Sequence, residues 1–463
     1  MPGPPDPFRY APPPTRAGGR TAVPIDIHTI DAVLHLDAHT GRCTADAYLE
    51  FTQGPHDGHP VFDLRQQIES ALLDGDRLSP DDLPHCDLGG GPEAAMRVIR
   101  RRLQAGTRHS LHVSYALATP QAPRGGSRLP EVHASDGRAR LSFGMSDLAP
   151  GRYLESWIPA NLLFDQYSID IGITVANAAA PHVLITSGRS IQIAENRWWV
   201  EFRPGSTSCS PMVELHPADE VVCRRATVRL PVSDKDLEIE IWKPRGMKAQ
   251  LSRLLGKVSG WLCDFERRMG RYCHGRRFVV FLQDRGGMEY DGGCTSSVEA
   301  LWHETHHAWW ARGLKPPSQR DGWIDEAWTV YSEKRRGVAT PFDLSRPAPL
   351  LNPENPWWRV TPAESYDEGC LFFEGLADIA GTANLEAWMD EFCRESMPGF
   401  VTTGELEDYL FERSGGDRRI RAAFARIRGA PPQTRTRRIS RDRTGPRAAA
   451  AERTRPPGRA PFG

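Results

Sequence analysis

The stretch ALWHETHHAWWARG, Ala300–Gly313, decides how the chain is read. Within it His303, Glu304 and His307 are spaced as H-E-x-x-H. On a helix, residues four apart stand one turn above each other, so His303 and His307 can aim ring nitrogens at one point. Glu304 lies about 100° around from His303 and borders that point without being a ligand. A carboxylate so placed is free to take a proton from a water activated by a metal ion. His306 lies about 100° from His307 and is set aside as a ligand. With 15 histidines in the chain, chance gives H-E-x-x-H roughly three times in a hundred. The motif therefore needs a third ligand to carry weight.

Eighteen residues separate His307 from Glu326, in GWIDEAWTVYSEKR, where Trp323, Ala327, Val330 and Tyr331 recur at helical spacing. The intervening LKPPSQRDG has a Pro-Pro break and a turn, which lets two helices lie side by side. Requiring Glu at this one offset lowers the chance expectation to roughly two in a thousand. Two histidines and a carboxylate, with the fourth position left for water, make a catalytic zinc set of one ion and not a closed structural site.

H-E-x-x-H followed by Glu inside a W-[LI]-[ND]-E-[GA]-[FW]-x-x-Y-x-E block resembles the gluzincin zinc aminopeptidases, the group of aminopeptidase N and leukotriene hydrolase. GGMEY, residues 286–290, resembles the family's G-x-M-E-N exopeptidase motif. That resemblance implies that Gly286, Gly287 and Met288 form a strand edge pairing with substrate backbone, and that Glu289 binds the substrate's free α-amine. SYDEGCLFF, residues 365–373, resembles the family's Y-x-K-G segment and implies that Tyr366 hydrogen-bonds the oxyanion. Glu333 matches an acid that orients a ligand histidine. VTTGELEDYL matches the next helix start, with Thr403 as N-cap. Tyr290 replaces the usual Asn and Glu368 replaces the Lys, and the resemblance leads us to expect a short member without the large C-terminal helical domain of typical members. The likeness is strong over about residues 286–412 and weak before 240.

The resemblance implies an α+β fold, an N-terminal antiparallel β-saddle-like domain followed by a thermolysin-like, mainly helical zinc-peptidase domain. The patterning agrees. Residues 1–21 are Pro/Gly-rich and read as a flexible arm. Residues 22–240 read as the β-rich domain, with short β-type runs such as HTIDAVLHLDA and YSIDIGITVA between turn clusters up to about residue 215. Residues 241–428 form the second domain: a helical stripe over 246–271, a buried-type strand over 278–284, then helices over 296–312, 322–336, 364–380, 384–396, 403–413 and 417–428. Residues 429–463 hold nine arginines against Asp442 and Glu452 and read as a disordered tail.

Composition narrows the alternatives. The 463 residues carry 58 basic and 59 acidic groups, a formal charge of −1, which gives no overall field for nucleic acid or an anionic membrane. The 9 cysteines are scattered and never C-x-x-C, which suggests reduced thiols rather than a disulfide framework. No apolar run is long enough for a membrane span and the N-terminus lacks an apolar signal core, so a cytoplasmic location is expected. The expected reaction is zinc-dependent removal of N-terminal residues from peptides, with Glu304 as general base and Tyr366 as oxyanion donor. Two other readings share the site: a catalytically quiet peptidase-fold binding protein, and an endopeptidase. Glu155 in YLESWIP is weighed as a second amine anchor and set aside, and the motif's tryptophans, Trp302, Trp309 and Trp310, read as core. Oligomeric state is not legible.

Overall fold

A computed structural model describes residues 6–118, 131–334 and 351–428. The expected tail, residues 1–5 of the expected arm, and the last two residues of the helix expected over 322–336 lie outside these. Residues up to Gly429 cluster as one compact unit, built on two main hydrophobic cores.

The first core lies in the β-rich half. The central strand Arg20–Asp37 buries alternate residues, Ile30, Ala32, Leu34 and Leu36 among them, which is what period-two alternation dictates for a sheet with one covered face. It is flanked by Cys43–Gln53 in antiparallel register and Tyr167–Ala176 in parallel register, within a twelve-stranded sheet. The sheet is thus mixed rather than purely antiparallel. A four-stranded sheet that includes Arg138–Ser142 and Val213–Pro217 belongs to the same half.

The second core is a five-stranded sheet packed with seven helices among the described residues: α1 Leu251–Met269, α2 Leu301–His306, α3 Trp323–Lys334, α4 Glu364–Ala380, α5 Thr382–Ser396, α6 Thr403–Arg413 and α7 Arg418–Ile427. The half is therefore mixed, not mainly helical. Asp236–Pro244 runs through α1 into Arg277–Leu282, and the two strands pair in parallel, a βαβ crossover. Val221–Arg229 and Asp236–Pro244 are hydrogen-bonded into this sheet, so a boundary at 240 falls inside it. The boundary was set at 240 because a sequence pattern does not reveal which sheet a segment joins. The sheet ends at Gly287–Tyr290, which pairs only with Gly293–Ser296 among the described strands and leaves its other edge open beside α2.

Part of the segment read as a flexible arm is ordered. Thr15–Ala17 pairs with Arg20–Ala22, and Arg9 and Tyr10 both reach Glu405 at 2.9 Å. The α6 cap is Thr402, not Thr403: Thr402 and Glu405 form a reciprocal capping box, while Thr403 hydrogen-bonds Asp321. All nine cysteines are free, and among the described residues no helix is long and apolar enough to cross a membrane.

Candidate metal centre and active site

The helix expected over 296–312 is only six residues long. After His306 the chain tightens through i→i−3 hydrogen bonds, Ala308 N to Thr305 O and Trp309 N to His306 O. It then reverses at Ala311, whose φ is 97°. The reversal sends Leu314–Lys315 to pair with Gly399–Phe400. It also brings the Trp310 carbonyl within 3.1 Å of His307 Nδ1. That bond fixes the tautomer, so Nε2 presents its lone pair away from the turn.

α3 packs beside α2 and carries Glu326 to the same point. Glu326 Oε2 lies 3.1 Å from His303 Nε2 and 3.5 Å from His307 Nε2. One atom from each of these three residues falls within 4.8 Å of the others. Donor atoms about 2.0–2.1 Å from a common tetrahedral zinc stand about 3.3 Å apart, so the spacing suits that ion. His307 Nε2 is fully buried and has no hydrogen-bond partner among the described residues, and such an orphan calls for a ligand. Glu333 lies 3.5 Å from His303 Nδ1, placed to orient that ring as Trp310 orients the other.

The surrounding charge is negative. Burial pushes the Glu304 carboxyl up to about 8, with Glu289 adding to the rise and the two imidazoles opposing it. Burial also works to raise Glu326, yet the neighbouring imidazoles hold it well below the usual carboxylate range. Asp325 is pushed up to about 7, by burial and then by Glu326. A cluster of buried acids around two imidazoles is a field that a divalent cation neutralises.

Glu304 faces this point from α2 across the edge strand. Its carboxylate lies against Gly287, where a Cβ would come within 2.2 Å of Oε1 and 2.4 Å of Cδ. Glycine is therefore the residue that lets strand and carboxylate approach. Glu289, on the same strand, is 5% exposed and offers an oxygen within 4.8 Å of donor atoms of Glu304 and His307. Tyr366, in the first turn of α4, stands with its ring 6.3 Å from that of His303 and within hydrogen-bond reach of Glu326. Burial, followed by the charges of Glu326 and Asp147, raises its phenol and keeps it protonated. His303, His307, Glu326, Glu304, Glu289, Gly287 and Tyr366 are thus brought to one place. His306 is not: it is buried, hydrogen-bonded to Thr329 at 2.9 Å and stacked on Trp302. Glu155 is also elsewhere, paired with Arg359 at 2.6 Å in a buried cluster with Asp63.

Two neighbours escaped the sequence reading. Arg312, 3% exposed, donates to Glu289 at 2.9 Å and also contacts the Cys209 thiol. An arginine in the otherwise apolar WWARGL must find a buried counter-charge, and that was the available signal. Asp147, from the loop after Arg138–Ser142, is raised well above its ordinary value by burial and then by Glu326, Glu289 and Asp325, which places it in the same field. No local pattern marks it.

Comparison with solved structures gives a single consistent picture. A two-domain M1 zinc metallopeptidase mutant bound to L-arginine superposes with a TM-score of 0.62 at 17% identity, over 92% of this chain and 98% of that one. The fold is that of the M1 zinc metallopeptidases. A mutant M1 zinc metallopeptidase from Deinococcus radiodurans, bound to a Tyr-Ser-Ala substrate, matches at 0.63 and 16% identity over 92% and 99% of the two chains. Aminopeptidase A from Legionella pneumophila, in complex with aspartic acid, matches at 0.63 and 15% over 86% of this chain but 49% of its own. No protein-family model and no curated protein matches the sequence.

Proposed function

We propose that the chain is a zinc-dependent aminopeptidase acting on peptides. The observation that carries the reading is the meeting of His303, His307 and Glu326 around an orphaned, buried His307 Nε2, with Glu304 and Tyr366 facing the same point. Zinc held by those three residues would lower the pKa of a water and polarise the substrate carbonyl. Glu304 accepts the proton of the attacking water and delivers it to the leaving amine. The Tyr366 hydroxyl donates to the carbonyl oxygen as negative charge grows there. The open edge of Gly287–Tyr290 pairs with the substrate backbone, and Glu289, which borders the same point, faces the substrate's ammonium.

One observation favours a second reading. Glu289 is already paired with Arg312, which weakens its hold on an ammonium and suits an endopeptidase. Cleavage of matched free and N-acetylated peptides separates the two. The aminopeptidase reading requires the free peptide to be preferred, and Glu289→Gln to reduce that preference. Equal cleavage of both by the wild-type protein replaces it with the endopeptidase. Stoichiometric zinc without hydrolysis of any peptide removes both and leaves a peptidase-fold binding protein.

A further inference from the structure

Cys273 stands between two cavities, of about 800 and 530 Å³, and its half-buried thiol lines both. The sulfur lies 3.5 Å from His274 Nε2, which is also 2.7 Å from the Ala308 carbonyl oxygen. A carbonyl oxygen only accepts, so that nitrogen carries a hydrogen, and the same N–H borders the sulfur. Burial works to raise the thiol, but the His274 ring holds it below its ordinary value. Three other thiols are half-buried: Cys86, Cys223 and Cys263. Burial pushes Cys223 up to about 11 and raises Cys263, and each of these two donates to a backbone carbonyl, which favours the thiol over the thiolate. The thiolate is the form that attacks, so Cys273 is set apart from both.

The smaller cavity is cationic. Arg203, Lys235, Arg271 and Arg394 line it, and its lining residues include no acid. Neither arginine with an anchored side chain uses a carboxylate: Arg203 Nη2 donates to the Cys273 carbonyl at 2.7 Å, and Arg394 Nη2 to the Arg268 carbonyl at 2.7 Å. Arg203 is therefore beside the thiol's own backbone. Arg394 crosses Gly270, where a Cβ would come within 2.9 Å of its Cγ. Gly270 is three residues from Cys273, so their Cα atoms are at most about 11 Å apart, the span of an extended tripeptide. We propose that Cys273 is a covalent modification site for small acidic peptide thiols, formed by exchange with their disulfides, with Arg203 and Arg394 receiving the carboxylates. The Cys273 thiolate attacks one sulfur of the disulfide, and a new S–S bond forms as the old one breaks. The other half leaves as a thiolate with the bonding pair and takes a proton from water. Cys273 is oxidised and the departing thiol reduced, so the disulfide is the only oxidant needed.

The test is to incubate the full chain with oxidised glutathione, which is anionic, with cystamine, which is cationic, and with neutral hydroxyethyl disulfide. Adducts are located by peptide mass mapping, and each rate is divided by that of the same disulfide with free cysteine. Oxidised glutathione should modify Cys273 first, and about tenfold or more faster than cystamine on this scale, the low end of electrostatic steering. Added salt should shrink that preference. The double variant Lys235→Gln with Arg394→Gln, with a melting curve to confirm folding, should lose the preference yet react with hydroxyethyl disulfide at the wild-type rate. The proposal is overturned if Cys86, Cys223 or Cys263 is modified as fast as Cys273, if cystamine matches oxidised glutathione, or if the double variant keeps the wild-type preference. None of these readouts depends on zinc or on peptide hydrolysis.

Discussion

Gly287→Ala gives a test of the catalytic geometry that leaves every proposed ligand in place. The added Cβ would stand 2.2 Å from Glu304 Oε1, 2.4 Å from Cδ and 2.6 Å from Cγ, whereas ordinary contact begins at 3.4 Å. The carboxylate must retreat by about 1.2 Å, and because three of its atoms are too close, turning the group in place does not suffice. A displacement of about 1 Å in a catalytic group costs roughly a hundredfold in rate. Gly287 is exposed, and its φ is not in the left-handed region, so alanine adds no backbone strain and the displacement falls on the Glu304 side chain. The expected outcome is a kcat on fluorogenic aminoacyl substrates about a hundredfold below wild type, with melting temperature and zinc content unchanged. A variant of full activity would refute the assignment of Glu304 as the proton acceptor in this position.

Tyr366→Phe should lower kcat by about a hundredfold, roughly 3 kcal/mol, with little change in KM, because the lost hydrogen bond forms to an oxyanion that exists only in the transition state. Arg359→Met should destabilise the fold by about 3 kcal/mol, since it leaves buried Glu155 without its cation while Asp63 keeps Arg65; urea unfolding reads this directly. Glu240, buried against Arg277 and Arg225, supplies a pH test far from the metal centre. Burial works to raise its carboxyl, but the two guanidiniums and the Trp242 indole hold it below the usual range. A depressed native pKa means that its stabilisation is full above the unfolded value of about 4.3 and is lost as pH falls through the lower native one. Glu240→Gln should therefore be less stable than wild type at neutral pH, and the gap in unfolding free energy should narrow steadily below about pH 4.

His303, Glu304, His307 and Glu326 stood out because H-E-x-x-H and one fixed offset convert sequence spacing into positions around a point, whereas Tyr366 was named only by the resemblance of SYDEG to a family segment. Glu326 needed only the turn between α2 and α3 to be short enough. The length of α2 was not legible: the apolar run AWWARGL continues a helical pattern past His307, and only the positive φ at Ala311 and the pairing of Leu314–Lys315 with Gly399–Phe400 end it. Sheet membership was not recoverable, so a boundary set at 240 left Val221–Arg229 with the first half and cut through Asp236–Pro244. Arg312 and Asp147 reach Glu289's surroundings through tertiary packing from distant loops, which leaves no periodic trace.

The central claim is that His303, His307 and Glu326 hold one catalytic zinc. Metal analysis of the purified protein and of His307→Ala and Glu326→Ala, each shown to be folded by circular dichroism, tests it most directly. One zinc per wild-type chain, lost from both variants, is the predicted result. Wild-type protein that takes up no zinc from a buffered solution, or folded variants that retain it in full, would contradict the account.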